Sequence, residues 1–241
     1  LQFGIDWRTA DIEHAREVRD LMGGEYYIDH EDENNTNKVV RLGDIIDYHN
    51  ETNVDWIGTF AQASYINGPL SAYGMFGLSS IKYSYQDHFT IANKKIKTES
   101  IGATQFKGGV MYDVTNNISV FGNFGIVEKP PIMDNVIYID GTVAENPDNE
   151  EFVSTEFGVN WRLMDGRLAT KVNVYNTDWN DRNLTKPVTT GQGSSGDSDI
   201  IFLTGVDQNH KGIEIEASTQ IIPMLRIDAT ISFGTWEFAG D

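Results

Sequence analysis

Between Val153 and Val174 the chain alternates apolar and polar residues with a period of two, and the alternation carries on through a turn. Val153, Thr155, Phe157, Val159, Trp161 and Leu163 fall on one face of the first arm, and Ser154, Glu156, Gly158, Asn160 and Arg162 on the other. After Met164-Asp165-Gly166, the residues Leu168, Thr170, Val172 and Val174 continue the apolar face, and Lys171 and Asn173 the polar one. Successive side chains of a strand point to opposite sides, so the pattern specifies a hairpin with one apolar and one polar surface. About ten alternating residues per arm is what a strand needs to cross a bilayer with one face in lipid and the other in a polar lumen.

The same pattern recurs in three further hairpins. Phe106, Val110, Tyr112 and Val114 oppose Gln105, Lys107, Met111 and Asp113, and beyond Thr115-Asn116-Asn117 the residues Ile118, Val120, Phe124 and Ile126 oppose Ser119 and Asn123. Ile213, Ile215, Ala217, Thr219 and Ile221 alternate with Glu214, Glu216, Ser218 and Gln220; past Pro223, Leu225, Ile227, Ala229, Ile231 and Phe233 alternate with Arg226, Asp228, Thr230 and Ser232. Val54 to Ile66 and Leu70 to Tyr83 meet at Asn67-Gly68-Pro69, although the first arm has apolar residues on both faces. Leu1, Phe3, Ile5 and Trp7 add one more alternating segment. The connections between these segments alternate long and short. The expected fold is therefore all-β: an antiparallel up-and-down transmembrane β-barrel segment of about nine strands, with short turns at one end and long loops at the other. Ala10 to Met22, which opens with Asp11 and Glu13 and ends at Gly23-Gly24, reads either as a short surface helix or as an irregular polar loop.

Composition narrows the alternatives. Hydrophobic residues make up 39% of the chain, and no run approaches the ~20 apolar residues of a spanning helix, which excludes a helical membrane bundle but not a barrel. The absence of cysteine removes disulfides and thiolate metal sites. A formal charge of -18 opposes sequence-independent nucleic-acid binding, which depends on Lys and Arg meeting phosphate. Of the 36 acidic residues, 25 lie in the long connections, so the loops are acidic and the strands are not. The chain opens on Leu1 with no signal-peptide pattern, and an odd strand count cannot close the usual even-stranded barrel. The expectation is one partial barrel domain, residues 1–241, cut from a longer protein.

Several segments resemble the TonB-dependent outer-membrane receptors. Asn146-Pro147-Asp148-Asn149-Glu150-Glu151, leading into Ser154-Thr155-Glu156-Phe157-Gly158-Val159, resembles the Asn-Pro-Asp-Leu-x-Pro-Glu segment before a barrel strand with Glu-x-Gly, departing from it at Asn149 and Glu150. Val174 to Arg182 resembles the Tyr-x-Thr-Asp-Tyr-x-Asp strand end. Lys211-Gly212-Ile213-Glu214-Ile215-Glu216 is similar to Lys-Gly-Ile-Glu-Leu-Glu, and Phe60-Ala61-Gln62-Ala63-Ser64-Tyr65 resembles an earlier strand. Together these segments cover roughly residues 54 to 238 in the family's order. The resemblance implies a barrel of about 22 strands with a plug in its lumen. It also implies energised uptake of a metal chelate, cobalamin or a glycan across the outer membrane of a Gram-negative bacterium. The partners implied are the nutrient at the outer loops, outer-membrane lipid, and TonB through an N-terminal region with no counterpart here. A passive porin and a secreted β-sandwich binding module remain as alternatives.

No catalytic, cofactor or metal site is expected. His14-Ala15-Arg16-Glu17 and Asp29-His30-Glu31-Asp32-Glu33 lack zinc-site spacing, and Glu214 and Glu216 are a carboxylate pair that any alternating polar face produces. Ser194-Ser195-Gly196-Asp197-Ser198 reads as a flexible loop. Tyr112 and Trp161 fall on the apolar face beside short turns, where an interfacial girdle places aromatic rings; parity puts Trp179 and Trp236 on the polar face. The expected ligand contacts on the loop rim are Arg16, Arg19, Tyr26, Tyr27, Trp179 and Asp181.

Overall fold

In the computed structural model, residues 1–90, 94–138, 141–190 and 197–239 are described. Nine long strands form one antiparallel meander: β1 (Gln2–Glu17), β4 (Ile45–Asn67), β5 (Leu70–Asp87), β7 (Ile101–Thr115), β8 (Ile118–Lys129), β9 (Glu150–Leu163), β10 (Leu168–Thr190), β11 (Asp197–Ile222) and β12 (Leu225–Phe238). Each pairs with the next in chain order, and β6 (Lys95–Lys97) adds a short flap on β5. The two-stranded β2 (Tyr27–Asp29) and β3 (Lys38–Val40) stand apart as a loop hairpin. The sheet is open among the described residues: β1 and β12 each have one unpaired edge.

Register turns the sequence alternation into continuous surfaces, because residues directly opposite one another share a face. Leu70, Tyr112, Val120, Val159, Val172, Ile215 and Ile231 are successive partners across seven strands and make one apolar row. The next row on that face runs Ala72, Val110, Gly122, Phe157, Val174, Ile213, Phe233. The intervening row, Met111, Phe121, Gly158, Asn173, Glu214, Ser232, belongs to the opposite, polar face. Phe157 and Val174 stay at least half exposed, so among the described residues no second layer covers the apolar face. An exposed apolar face of this extent fits a barrel wall and not half of a sandwich core. Tyr112 and Trp161 share the apolar face, the latter opposite Ile118 and Thr170.

The two-sided apolarity of β4 has a local cause. Phe60 stands on the polar face directly between Gly4 of β1 and Gly77 of β5 and covers the space that a side chain on Gly4 would occupy. An aromatic ring over a strand glycine restores packing that the glycine cannot supply.

Two sequence expectations are corrected. Ala10 to Glu17 is strand, paired residue by residue with β4 from Val54 back to Ile45, and no helix forms. A short isolated helix is marginal in water, whereas extension of an existing ladder gives every backbone group a partner. The chain turns only afterwards, at Met22 and Gly23, both with positive φ. The long connections are also shorter than expected, since β4 starts at Ile45, β10 continues to Thr190 and β11 starts at Asp197. Beyond the alternating segments the backbone ladder continues although the apolar-polar pattern lapses. Trp179 and Asp181 therefore lie in a strand, not a loop. The stretch read as a flexible loop at Ser194 falls, through Gly196, outside the described residues.

Among the described residues, the main buried cluster lies at the long-connection end of the sheet, on strands β5, β6 and β7 and the segment between β8 and β9. Tyr83, Ile96, Ile101, Val136 and Ile137 cluster beneath the segment between β8 and β9, and the Tyr83 hydroxyl donates to the Pro131 carbonyl at 2.9 Å. Val18, Val40 and Phe89 are also nearly inaccessible. The Phe89 carbonyl receives the Glu33 amide at 3.0 Å and Asn34 Nδ2 at 3.2 Å, which ties the β2–β3 hairpin to the top of β5.

Candidate ligand-binding face

The polar face holds one graded network. At the level of the apolar rows, Lys171 Nζ pairs with Glu156 Oε1 at 3.1 Å and sits 5.1 Å from the Phe121 ring centroid. Asn123 donates to Glu156 at 2.9 Å and receives the Tyr73 hydroxyl at 3.4 Å, while Asn173 donates to Glu214 at 3.3 Å. Tyr73, Asn123, Glu156, Asn173 and Glu214 line a shallow concavity of about 550 Å³ together with Lys107, Tyr175 and Thr177. Lys171 thus balances a carboxylate of the polar face.

Farther from the short turns the polar face becomes aromatic. Phe152, Trp179, Gln208 and Phe238 are successive cross-strand partners. The Phe152 and Trp179 rings lie 4.7 Å apart, His210 is 6.3 Å from Trp179, and the Arg182 guanidinium lies 4.0 Å from the Trp179 centroid. Arg182 Nη1 also donates to Gln208 Oε1 at 2.6 Å. Beneath them Glu150 is 3% exposed, and its Oε2 receives Trp179 Nε1 at 3.0 Å and Lys129 Nζ at 3.1 Å. A buried carboxylate with an ion-pair partner and an indole donor holds the Trp179 ring in one orientation. The result is a fixed flat aromatic surface with a cation beside it, suited to stacking on a planar or anionic group.

A pair of bulges separates Asp181 from this cluster. Register slips between Trp179 and Arg182 on β10 and again before Leu184, with Asp181 and Gly205 at positive φ. Asp181 joins Asp148 and Glu151 in an acidic recess that also includes Glu99, Glu128 and Glu145. Its amide donates to Asp207 at 2.9 Å. Burial and then the charges of Asp207, Asp148 and Glu151 raise the Asp181 carboxyl above its ordinary pKa.

The other expected rim residues stand elsewhere. Arg16 pairs with Asp47 at the end of β1 and lies 5.3 Å from the Tyr48 ring centroid. Arg19 is exposed just beyond β1, and Tyr26 and Tyr27 are more than half exposed at the start of the β2–β3 hairpin. Four strands, β5, β7, β8 and β9, separate β4 from β10. The structure therefore groups Arg16, Arg19, Tyr26 and Tyr27 at one end of the wall and places Trp179 and Asp181 near the other. Lys129, Glu150, Phe152, Arg182 and His210 were not singled out from sequence. The signal was present in part: parity pairs Phe152 with Trp179, and Glu150 is one of the two departures from the family segment.

The model of the TonB-dependent receptor-like β-barrel matches residues 1–240. Among solved structures, the closed form of the ferric-catecholate import receptor Fiu of Escherichia coli K12 superposes with a TM-score of 0.64 at 13% identity, over 99% of this chain and 35% of its own. The copper transporter OprC gives 0.61 at 16%, over 99% and 35%. The alcaligin outer-membrane receptor FauA of Bordetella pertussis gives 0.56 at 18%, over 79% and 32%. The chain spans about a third of the length of each of these proteins. A comparison with curated protein sequences finds no significant match.

Proposed function

The chain belongs to the TonB-dependent receptor-like β-barrel family, and we propose that it forms a ligand-contacting stretch of barrel wall in a receptor that imports a metal chelate in a TonB-dependent manner. As a member of that family it lies in the outer membrane of a Gram-negative bacterium. Its apolar face meets lipid and its polar face lines the lumen. The observation that carries the ligand reading is Trp179, locked by Glu150 and overlain by Arg182 on the polar face above the level of the apolar rows. A chelate descending between the loops meets this surface first, and aromatic stacking with one cation suits the flat, electron-rich donor groups of an iron or copper chelator. The acidic recess around Asp181 disfavours anions beside it and narrows their approach to the Arg182 side. Arg16, Arg19, Tyr26 and Tyr27 act, in this reading, as a second group of contacts across the mouth. These residues bind and orient; no bond is made or broken.

The test is uptake of iron-55 supplied as catecholate and as hydroxamate chelates by cells relying on the full-length receptor. Trp179→Ala and Arg182→Gln should each lower uptake about tenfold with the barrel still folded. Uptake at the parent level in both variants would remove this face from the ligand path.

A further inference from the structure

Two histidines 39 positions apart in sequence meet at the outer end of the β1–β4–β5 wall. His49 lies on β4 and His88 just past the end of β5, and their rings stack with centroids 4.3 Å apart and planes inclined by 29°. Each ring has its own carboxylate: His49 Nε2 lies 2.8 Å from Glu13 Oε1, and His88 Nε2 lies 3.2 Å from Glu51 Oε1. Glu13 and Glu51 are direct partners in the β1–β4 register, so both acids flank the ring stack. One ligand atom each from His49, Glu51 and His88 falls within 4.8 Å of the other two. Both imidazoles are largely shielded, at 19% and 22% side-chain exposure, whereas the carboxylates remain open to solvent.

We propose that His49, His88 and Glu51, with Glu13 as fourth donor, bind a divalent transition-metal ion of the zinc or copper class. Two imidazoles and two carboxylates form a mixed nitrogen–oxygen set that suits zinc or copper and is too nitrogen-rich for calcium or magnesium. Metal–nitrogen bonds of about 2.0–2.1 Å hold tetrahedral donors roughly 3.3 Å apart, so side-chain rotations that close the present separations complete the site. Two carboxylates offset the ion's charge, and the ion takes the place of the present ring–carboxylate contacts. Backbone positions are already fixed: β1 and β4 by their ladder, and His88 by the hydrogen bond its backbone N–H donates to the His49 carbonyl at 2.9 Å. The ion would staple three rim segments, from β1, β4 and the end of β5, at a place remote from Trp179. The site does not depend on the transport reading, because occupancy is measured without uptake.

The experiment uses the full-length receptor in detergent, stripped with a chelator and titrated calorimetrically with zinc chloride, and separately loaded with copper(II) for electron paramagnetic resonance. The parent should bind one more equivalent of zinc than the His49→Gln/His88→Gln double variant, and its copper spectrum should show nitrogen coupling that the variant lacks. His30→Gln, a loop histidine elsewhere, should match the parent. Heat-modifiable gel mobility reports barrel folding. Should the double variant not fold, Glu51→Gln and Glu13→Gln serve in its place, each expected to weaken zinc binding at least tenfold. Equal stoichiometry and affinity in the parent and a folded variant, or copper spectra without a difference in nitrogen coupling, would overturn the proposal.

Discussion

Val172 and Thr230 occupy opposite faces of the same wall, and their contrast tests which face meets lipid. Val172 belongs to the apolar row with Val159 and Ile215, while Thr230 lies opposite Glu216 on the polar face. Val172→Arg should cost about 2–4 kcal/mol near the bilayer midplane. Thr230→Arg, beside a carboxylate and water, should cost less than about 1 kcal/mol. Unfolding of the full barrel in lipid checks both, and equal costs would count against this assignment of the faces. Gly158 gives a steric counterpart: a Cβ there would lie 2.7 Å from the Val172 carbonyl and run into the Phe121 ring. Gly158→Val should therefore destabilise the β9–β10 pair by roughly 1–3 kcal/mol, read from the same unfolding curves. Parity alone set these orientations, and it also set Trp179 inward. It was silent on Glu150, because a buried carboxylate is recognised only through the lysine and indole that three-dimensional pairing brings to it.

At the scale of elements, the loops are held by small cores and side-chain caps that have no periodic signature. Asp87 closes the top of β5. Burial pushes its carboxyl up, but the Thr90 hydroxyl, the Thr90 and Phe89 amides and the Tyr85 hydroxyl together outweigh burial and hold it below the ordinary value. Nearby, burial, the Asp87 charge and hydrogen bond, and then the Asp134 charge push the Tyr85 phenol up to about 12. A carboxyl with a depressed folded pKa stabilises above its unfolded value, near 3.9, and that contribution is lost as pH falls through the folded pKa. Amide exchange at Phe89 and Thr90 should accordingly be independent of Asp87 titration at neutral pH and show loosening only in strong acid, whereas Asp87→Asn should loosen both amides already at pH 7. Unchanged protection in the variant would remove the cap from the account. Tyr83→Phe deletes one buried hydrogen bond to Pro131 and should cost about 1–2 kcal/mol in local opening of the segment between β8 and β9, measured by exchange at Val136 and Ile137. The nine strands were legible because their two faces differ in polarity, which makes the residues alternate. Where that asymmetry ends, as at Ala10 to Glu17 and beyond Trp179, composition suggested a helix and loops, and cross-strand pairing decided otherwise.

For the whole molecule, the rows of apolar partners across seven strands, the polar network on the reverse and the family of the chain describe one structure: a wall of an outer-membrane barrel. The rim groups around Arg16 and Trp179 are separated on this wall, so a ligand touching both must sit across the mouth and not on one strand pair. That separation was invisible in sequence, where both groups were assigned to loops. The central claim, energised uptake through this barrel, is tested most directly by transport of iron-55 catecholate and hydroxamate chelates into two strains that express the full-length receptor and differ only in the presence of TonB. Accumulation in the TonB-containing strain that falls to background in its TonB-deficient twin is the predicted result. Equal accumulation in both strains, the behaviour of a passive pore, or none in either would contradict it.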